Sequence, residues 1–163
     1  MSMTHEERDA LLVRYRDGAG RFAAAVADVT EPELDAHPIE GEWSIREIAH
    51  HLADGELTSA VRLRRLIAED EAAILGYDER SFTDRLHATE RPIASSIAAA
   101  AAARASTLTI LERLTDDEWK RTGTHSESGA YGVERWLEIY ADHPWEHADQ
   151  VRRVLAAIRG GAG

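Results

Sequence analysis

The chain of 163 residues contains no cysteine. That removes a disulfide framework, a thiolate metal ligand and a cysteine nucleophile at once, so any reactive thiol must come from a substrate. Positive charge is scarce: 19 Lys and Arg stand against 30 Asp and Glu, a formal net charge of −11. Binding of DNA or RNA draws on counterion release by basic side chains, and nucleic acid is not an expected partner. Long apolar runs are missing too. No stretch of about 18 apolar residues reads as a membrane span, and the opening MSMTHEERDA has neither the basic start nor the apolar core of a secretion signal. The expectation is a soluble, cytoplasmic protein with no membrane partner. Strand signals are equally absent: apolar residues recur with the period of a helix, and no segment alternates convincingly.

What is there reads as one domain over residues 1–163, large enough to bury its own core. Thr4 with Glu7 forms a capping box, and Leu11, Tyr15, Ala19, Phe22 and Val26 trace a first helix to about Val29. Pro32, Pro38 and Gly41 mark a loop over Thr30 to Glu42, with room for a helical turn at Glu33 to Ala36. Ser44 and Glu47 then cap a second long helix, expected from about Ser44 to Leu75, with Trp43 as the apolar residue before the cap. Gly76 to Glu90 reads as a long connection. Pro92 opens a third helix through Leu114 that carries the alanine run Ala98–Ala103. A brief capped turn at Thr115 to Trp119 and the turn-like RTGTHSESGAYG lead into the last helix, after which Gly160–Gly163 form a tail. Four long helices predict an all-α, four-helix bundle with long connections.

The last helix carries the chemistry. Val133, Trp136, Leu137, Tyr140, Val151, Val154, Leu155 and Ile158 share one buried face, and the two positions that continue it through the middle are His143 and His147. Imidazoles at i and i+4 stand one above the other and can chelate one ion, neutral imidazole being a preferred ligand of zinc, nickel and copper. A third ligand must come from elsewhere. His50 and His51 both lie in the second helix, about 100° apart, and the pattern leaves open which one faces inward. Gly55, one turn on, thins that side of the helix as though something approaches closely. Pro144 between the two histidines removes a backbone donor and clashes with the Tyr140 carbonyl, so a kink or relaxed carbonyl is expected there.

WSIREIAHHLAD at Trp43 to Asp54, RTGTHSESG, the HxxxH pair and the following HADQV, in this order and separation, resemble the DinB/YfiT-like superfamily of four-helix bundles from Trp43 onward. The resemblance implies a divalent metal, Zn²⁺ or Ni²⁺, held by His143, His147 and a second-helix histidine. His51 fits that role because it directly precedes Leu52, with His50 the fallback. Three histidines leave coordination positions open, as in a catalytic site. The resemblance further implies either transfer of a low-molecular-weight thiol such as bacillithiol or mycothiol, or metal-dependent hydrolysis by a bound water, with a small-molecule substrate and a homodimer. Thiol transfer is slightly favoured. A non-enzymatic, dimeric, stress-related binding module is the rival expectation.

Other residues are weighed against ordinary structural roles. His125 lies in the Gly-flanked loop and can reach the bundle mouth; Glu47 and Asp54 share a helix side with His51 and can orient a ligand, although capping already explains Glu47. Asp142 and Glu146 turn away from the histidine face. Arg62, Arg64 and Arg65 suit an anionic substrate or simply a solvated face.

Overall fold

The computed structural model describes residues 3–161. In chain order these form α1 (His5–Val26), α2 (Glu31–Asp35), α3 (Ile45–Ala68), β1 (Ala73–Ile74), α4 (Glu79–Arg85), α5 (Ile93–Leu111), α6 (Asp116–Trp119), β2 (Thr122–His125), β3 (Gly129–Gly132) and α7 (Val133–Gly160). Capping fixes the helix starts. Thr4, Ser44 and Thr115 accept from the backbone amides of Glu7, Glu47 and Glu118, whose carboxylates reach back to the cap amides.

Each long helix packs against two others, giving the ring α1, α7, α3, α5. Side-chain contacts set the directions. Arg14 meets Asp142 and Arg21 meets Asp149, so α1 and α7 run parallel. Trp136 donates to the Ser59 carbonyl while Gly55 faces His143, so α3 and α7 run antiparallel. His50 meets Ser96 and Arg64 meets Thr107, so α3 and α5 are parallel neighbours. A parallel pair needs a link that travels back along the bundle, about 36 Å for the 24 residues of α3. Residues 69–92 provide it, which is the physical reason for a connection of that length.

Four expectations are corrected. The second long helix ends at Ala68 and not near Leu75. Glu69, Asp70 and Glu71 place three carboxylates against the negative end of the helix, and Arg121 takes the terminal carbonyls of Leu66 and Glu69 at 3.0 and 2.7 Å. The third long helix stops at Leu111. The fold is not free of strands: β1 pairs in parallel with β2, and β2 antiparallel with β3, in a three-stranded sheet. Finally, α5 is long and apolar enough by composition to cross a bilayer. Its apolarity comes from alanine, and it serves as a bundle helix whose Arg104 is buried in the core.

The core falls into two apolar clusters. One gathers Tyr15, Leu63, Leu66, Trp136 and Leu137, the other Phe22, Ile45, Ile48, Val151 and Val154. Between them along α3 and α7 come Glu56, His51, His143 and His147, a polar layer across the middle of the bundle.

Candidate metal centre

Two stretches of regular helix deliver the three histidines. The Ser44 cap starts α3 in a fixed register, and in that register His51 points into the bundle against Trp43, ring centroids 4.6 Å apart. On α7, His143 and His147 stack edge to face at 4.7 Å, and each closes on His51, at 5.6 and 4.8 Å. One ring nitrogen from each lies within 4.8 Å of the others.

Hydrogen bonding sorts the ring nitrogens. His143 Nδ1 donates to Glu56 Oε1 at 3.3 Å, and His147 Nδ1 donates to Gln150 Oε1 at 2.9 Å, leaving both Nε2 lone pairs free. His51 Nδ1 has Glu79 at 4.0 Å. Burial, with the neighbouring His147 and His143, pushes His51 down to about 3. Burial together with His143 pushes His147 down to about 4. Both rings are therefore neutral near pH 7, the form that binds a cation. A Cβ on Gly55 would lie 2.7 Å from His143 Cε1, so only glycine leaves His143 its place. Three imidazole nitrogen donors, two of the rings held by second partners on the far side, fit a divalent metal of the zinc or nickel class.

His50 is not brought to the cluster. Its Nδ1 accepts from the Ser96 hydroxyl at 2.8 Å and its Nε2 donates to the Arg91 carbonyl at 3.1 Å, so both nitrogens are occupied. Glu47 is used by Ser44 and His37. Asp54 is half-buried beside Arg91 and His50, its carboxyl raised by burial. Asp142 pairs with Arg14, and Glu146 is exposed. His125 is buried at the end of β2, accepts from the Glu127 amide at 3.2 Å, and lines a cavity of about 230 Å³ whose wall includes His143.

Sequence reading missed the support beneath His143. Glu56 is 1% exposed and its Oε1 accepts from Arg104 Nη1 at 2.7 Å as well as from His143. Arg104 also donates to the carbonyls of Tyr15 and of Tyr140, the latter at 3.0 Å. The Tyr140 carbonyl is the one that Pro144 cannot serve, so the arginine replaces the lost helix bond. A signal was present: Leu52, Glu56, Ser59 and Leu63 share one seam, and a carboxylate on a buried seam demands a partner.

The bundle topology and the histidine cluster together define a class: helical bundles that assemble a metal-competent site from inward histidines of two helices. The chain belongs to the DinB superfamily, whose family model matches residues 14–151. It is 31% identical over 122 residues to an Oceanobacillus iheyensis protein provisionally named a metal-dependent hydrolase, covering 75% of this chain and 70% of that one. YfiT of Bacillus subtilis, with the same provisional name, is 26% identical over 154 residues, covering 94% and 86%. The solved YfiT structure, described as a four-helix bundle of unusual topology, matches with a TM-score of 0.90 at 25% identity over 98% of this chain and 91% of that one. A mycothiol-dependent maleylpyruvate isomerase shares the fold, with a TM-score of 0.72 at 14% identity over 93% of this chain and 63% of that one.

Proposed function

We propose that this chain is a metal-dependent enzyme in which His51, His143 and His147 hold Zn²⁺ or Ni²⁺, and that it activates a low-molecular-weight thiol for transfer to a small electrophile. The observation that carries the reading is the convergence of three imidazole nitrogens within 4.8 Å beside an open cavity. Bound there, the cation supplies a Lewis acid that favours the ionised form of a coordinated thiol or water. The thiol is preferred because a mycothiol-dependent isomerase shares the fold. Water attack profits from a nearby general base: Glu56 is tied up by Arg104 and the His143 ring, which leaves Glu79, on the cavity wall 4.0 Å from His51, as the base for that route. The absence of cysteine leaves the thiol to be brought in by substrate.

Hydrolysis is the second reading, favoured by the names of the relatives from Oceanobacillus iheyensis and Bacillus subtilis. One experiment separates them. Untagged protein is assayed for bound metal and then incubated with bacillithiol or mycothiol and a panel of electrophiles, beside a panel of esters and amides, with mass-spectrometric detection. Thiol adducts that vanish in the His143→Ala/His147→Ala variant support transfer; metal-dependent cleavage without adducts replaces it with hydrolysis. Metal content unchanged in that variant overturns the site.

A further inference from the structure

The three arginines of α3 part company in the fold. Arg65 pairs with Glu69 at 2.9 Å, and Arg64 donates to the Ala60 carbonyl and to the Thr107 and Ser106 hydroxyls. Arg62 turns instead into the wall of the 230 Å³ cavity beside His143. It donates to the Tyr140 hydroxyl at 2.9 Å and to the Leu75 carbonyl at 2.6 Å. Among the described residues no carboxylate reaches it; its Nε is buried without a partner, and one N–H on each Nη is left over.

Tyr77 stands opposite. Its ring lies on Phe82, centroids 4.5 Å apart, with the Arg62 guanidinium 5.7 Å from its centre. Its hydroxyl is 3.6 Å from the point where a Gly55 Cβ would stand, the same notch that His143 Cε1 occupies. That hydroxyl makes no hydrogen bond within the described residues. Burial holds it protonated, so it is a donor. Ser128 adds a third donor to the wall, and Glu79 is the single carboxylate there, half exposed at 4.0 Å from His51. A cavity of this volume is below the roughly 300–1,000 Å³ of drug-sized sites.

We propose that this cavity is the substrate pocket and that it selects a small organic carboxylate, whose oxygens accept from Arg62 and from the Tyr77 hydroxyl. The role of the bound acid as the electrophile's anchor rests on the metal-centre reading; the pocket's preference for a carboxylate does not. Acceptance from a guanidinium and a phenol together fixes the position of the acid in the cavity beside His143.

The test is titration of the full chain, zinc-loaded and chelator-treated, with pentanoate and with pentanamide, which has the same shape without the charge. Pentanoate is expected to bind at least about tenfold more tightly than the amide in both forms. Arg62→Met abolishes that preference, and Tyr77→Phe, which removes only the hydroxyl, weakens pentanoate by about three- to tenfold. Equal binding of acid and amide, no binding of either, or a preference untouched by both substitutions overturns the pocket assignment. Loss of zinc binding with the acid preference intact in the chelator-treated chain sinks the metal centre alone, and the two failures are thereby told apart.

Discussion

At the scale of single residues, Glu56 and Gly55 decide whether His143 is placed. Glu56 accepts from the His143 ring on one side and from buried Arg104 on the other. Glu56→Ala leaves an uncompensated guanidinium in the core and is expected to destabilise by roughly 3–5 kcal/mol in denaturant titration. It should also weaken zinc binding about 10- to 100-fold in a chelator competition. Glu56→Gln keeps an acceptor for His143 Nδ1 but not the charge, so affinity recovers more than stability does. If both recover together, orientation of the ring is not the role of Glu56. Gly55→Ala is the reverse case. Its methyl group enters the space of His143 Cε1 at 2.7 Å. Alanine gains up to about 1 kcal/mol of helix propensity over glycine, so the metal-free melting temperature holds while zinc affinity falls at least about tenfold.

The depressed histidines make stability depend on pH. His51 at about 3 and His147 at about 4 take up protons in the unfolded chain at about 6.5 but not in the folded one. Below pH 6.5 the unfolded state therefore binds more protons. Stability of the metal-free protein is full above about pH 6.5 and falls as pH drops towards 4, by up to about 1.4 kcal/mol per pH unit for each ring. Urea midpoints measured between pH 7.5 and 4.5 check this, and His147→Gln should flatten the slope.

At the scale of elements, the sheet is the part that sequence did not announce. Its strands hold two to four residues, TGTH and GAYG among them, too short and too rich in glycine for an alternating pattern to appear. What fixes it is tertiary: a Cβ on Gly123 would sit 2.3 Å from the Ala72 carbonyl, so β1 and β2 can approach only at glycine. Gly123→Ala should separate them and cost about 1–3 kcal/mol, read as a lower urea midpoint. The helices were legible because caps and apolar seams are local. Thr4, Ser44 and Thr115 mark starts, and the apolar seam of α7 by itself singles out His143 and His147. Periodicity leaves His50 and His51 open, and only the resemblance, through Leu52, favours His51; the structure turns His50 to Ser96 and Arg91. The cavity is legible only through His125, which the Gly-flanked loop carries to the bundle mouth. Tyr77, His125 and Tyr131 come from the long link and the hairpin, whose positions are set by packing and carry no period.

At the scale of the whole molecule, the polar layer divides the apolar core, and the arrangement asks what compensates it. Burying Glu56, Arg104 and His51, with His143 and His147 partly buried beside them, forfeits hydrophobic stabilisation in mid-bundle, where α1, α3, α5 and α7 meet. The pairs that tie parallel α1 to α7, Arg14 with Asp142 and Arg21 with Asp149, lie near the surface and return little. A cation on the three histidines, as proposed, would bind only the folded chain and cross-link α3 to α7 through the layer itself, and would thereby raise stability by linkage. At free zinc 100-fold above its dissociation constant the gain is about 2.7 kcal/mol. For a chain of this length 1 kcal/mol moves the midpoint by about 2–4 °C, so zinc or nickel should lift the melting temperature by about 5–11 °C. Chelator should reverse the shift, and His143→Ala/His147→Ala should remove it while magnesium, an oxygen-seeking ion, leaves the wild-type chain unmoved. A scanning calorimetry trace that is the same with and without zinc and nickel would show that these rings pair with one another and with Glu56 and Gln150 only, leaving the bundle a scaffold without a metal.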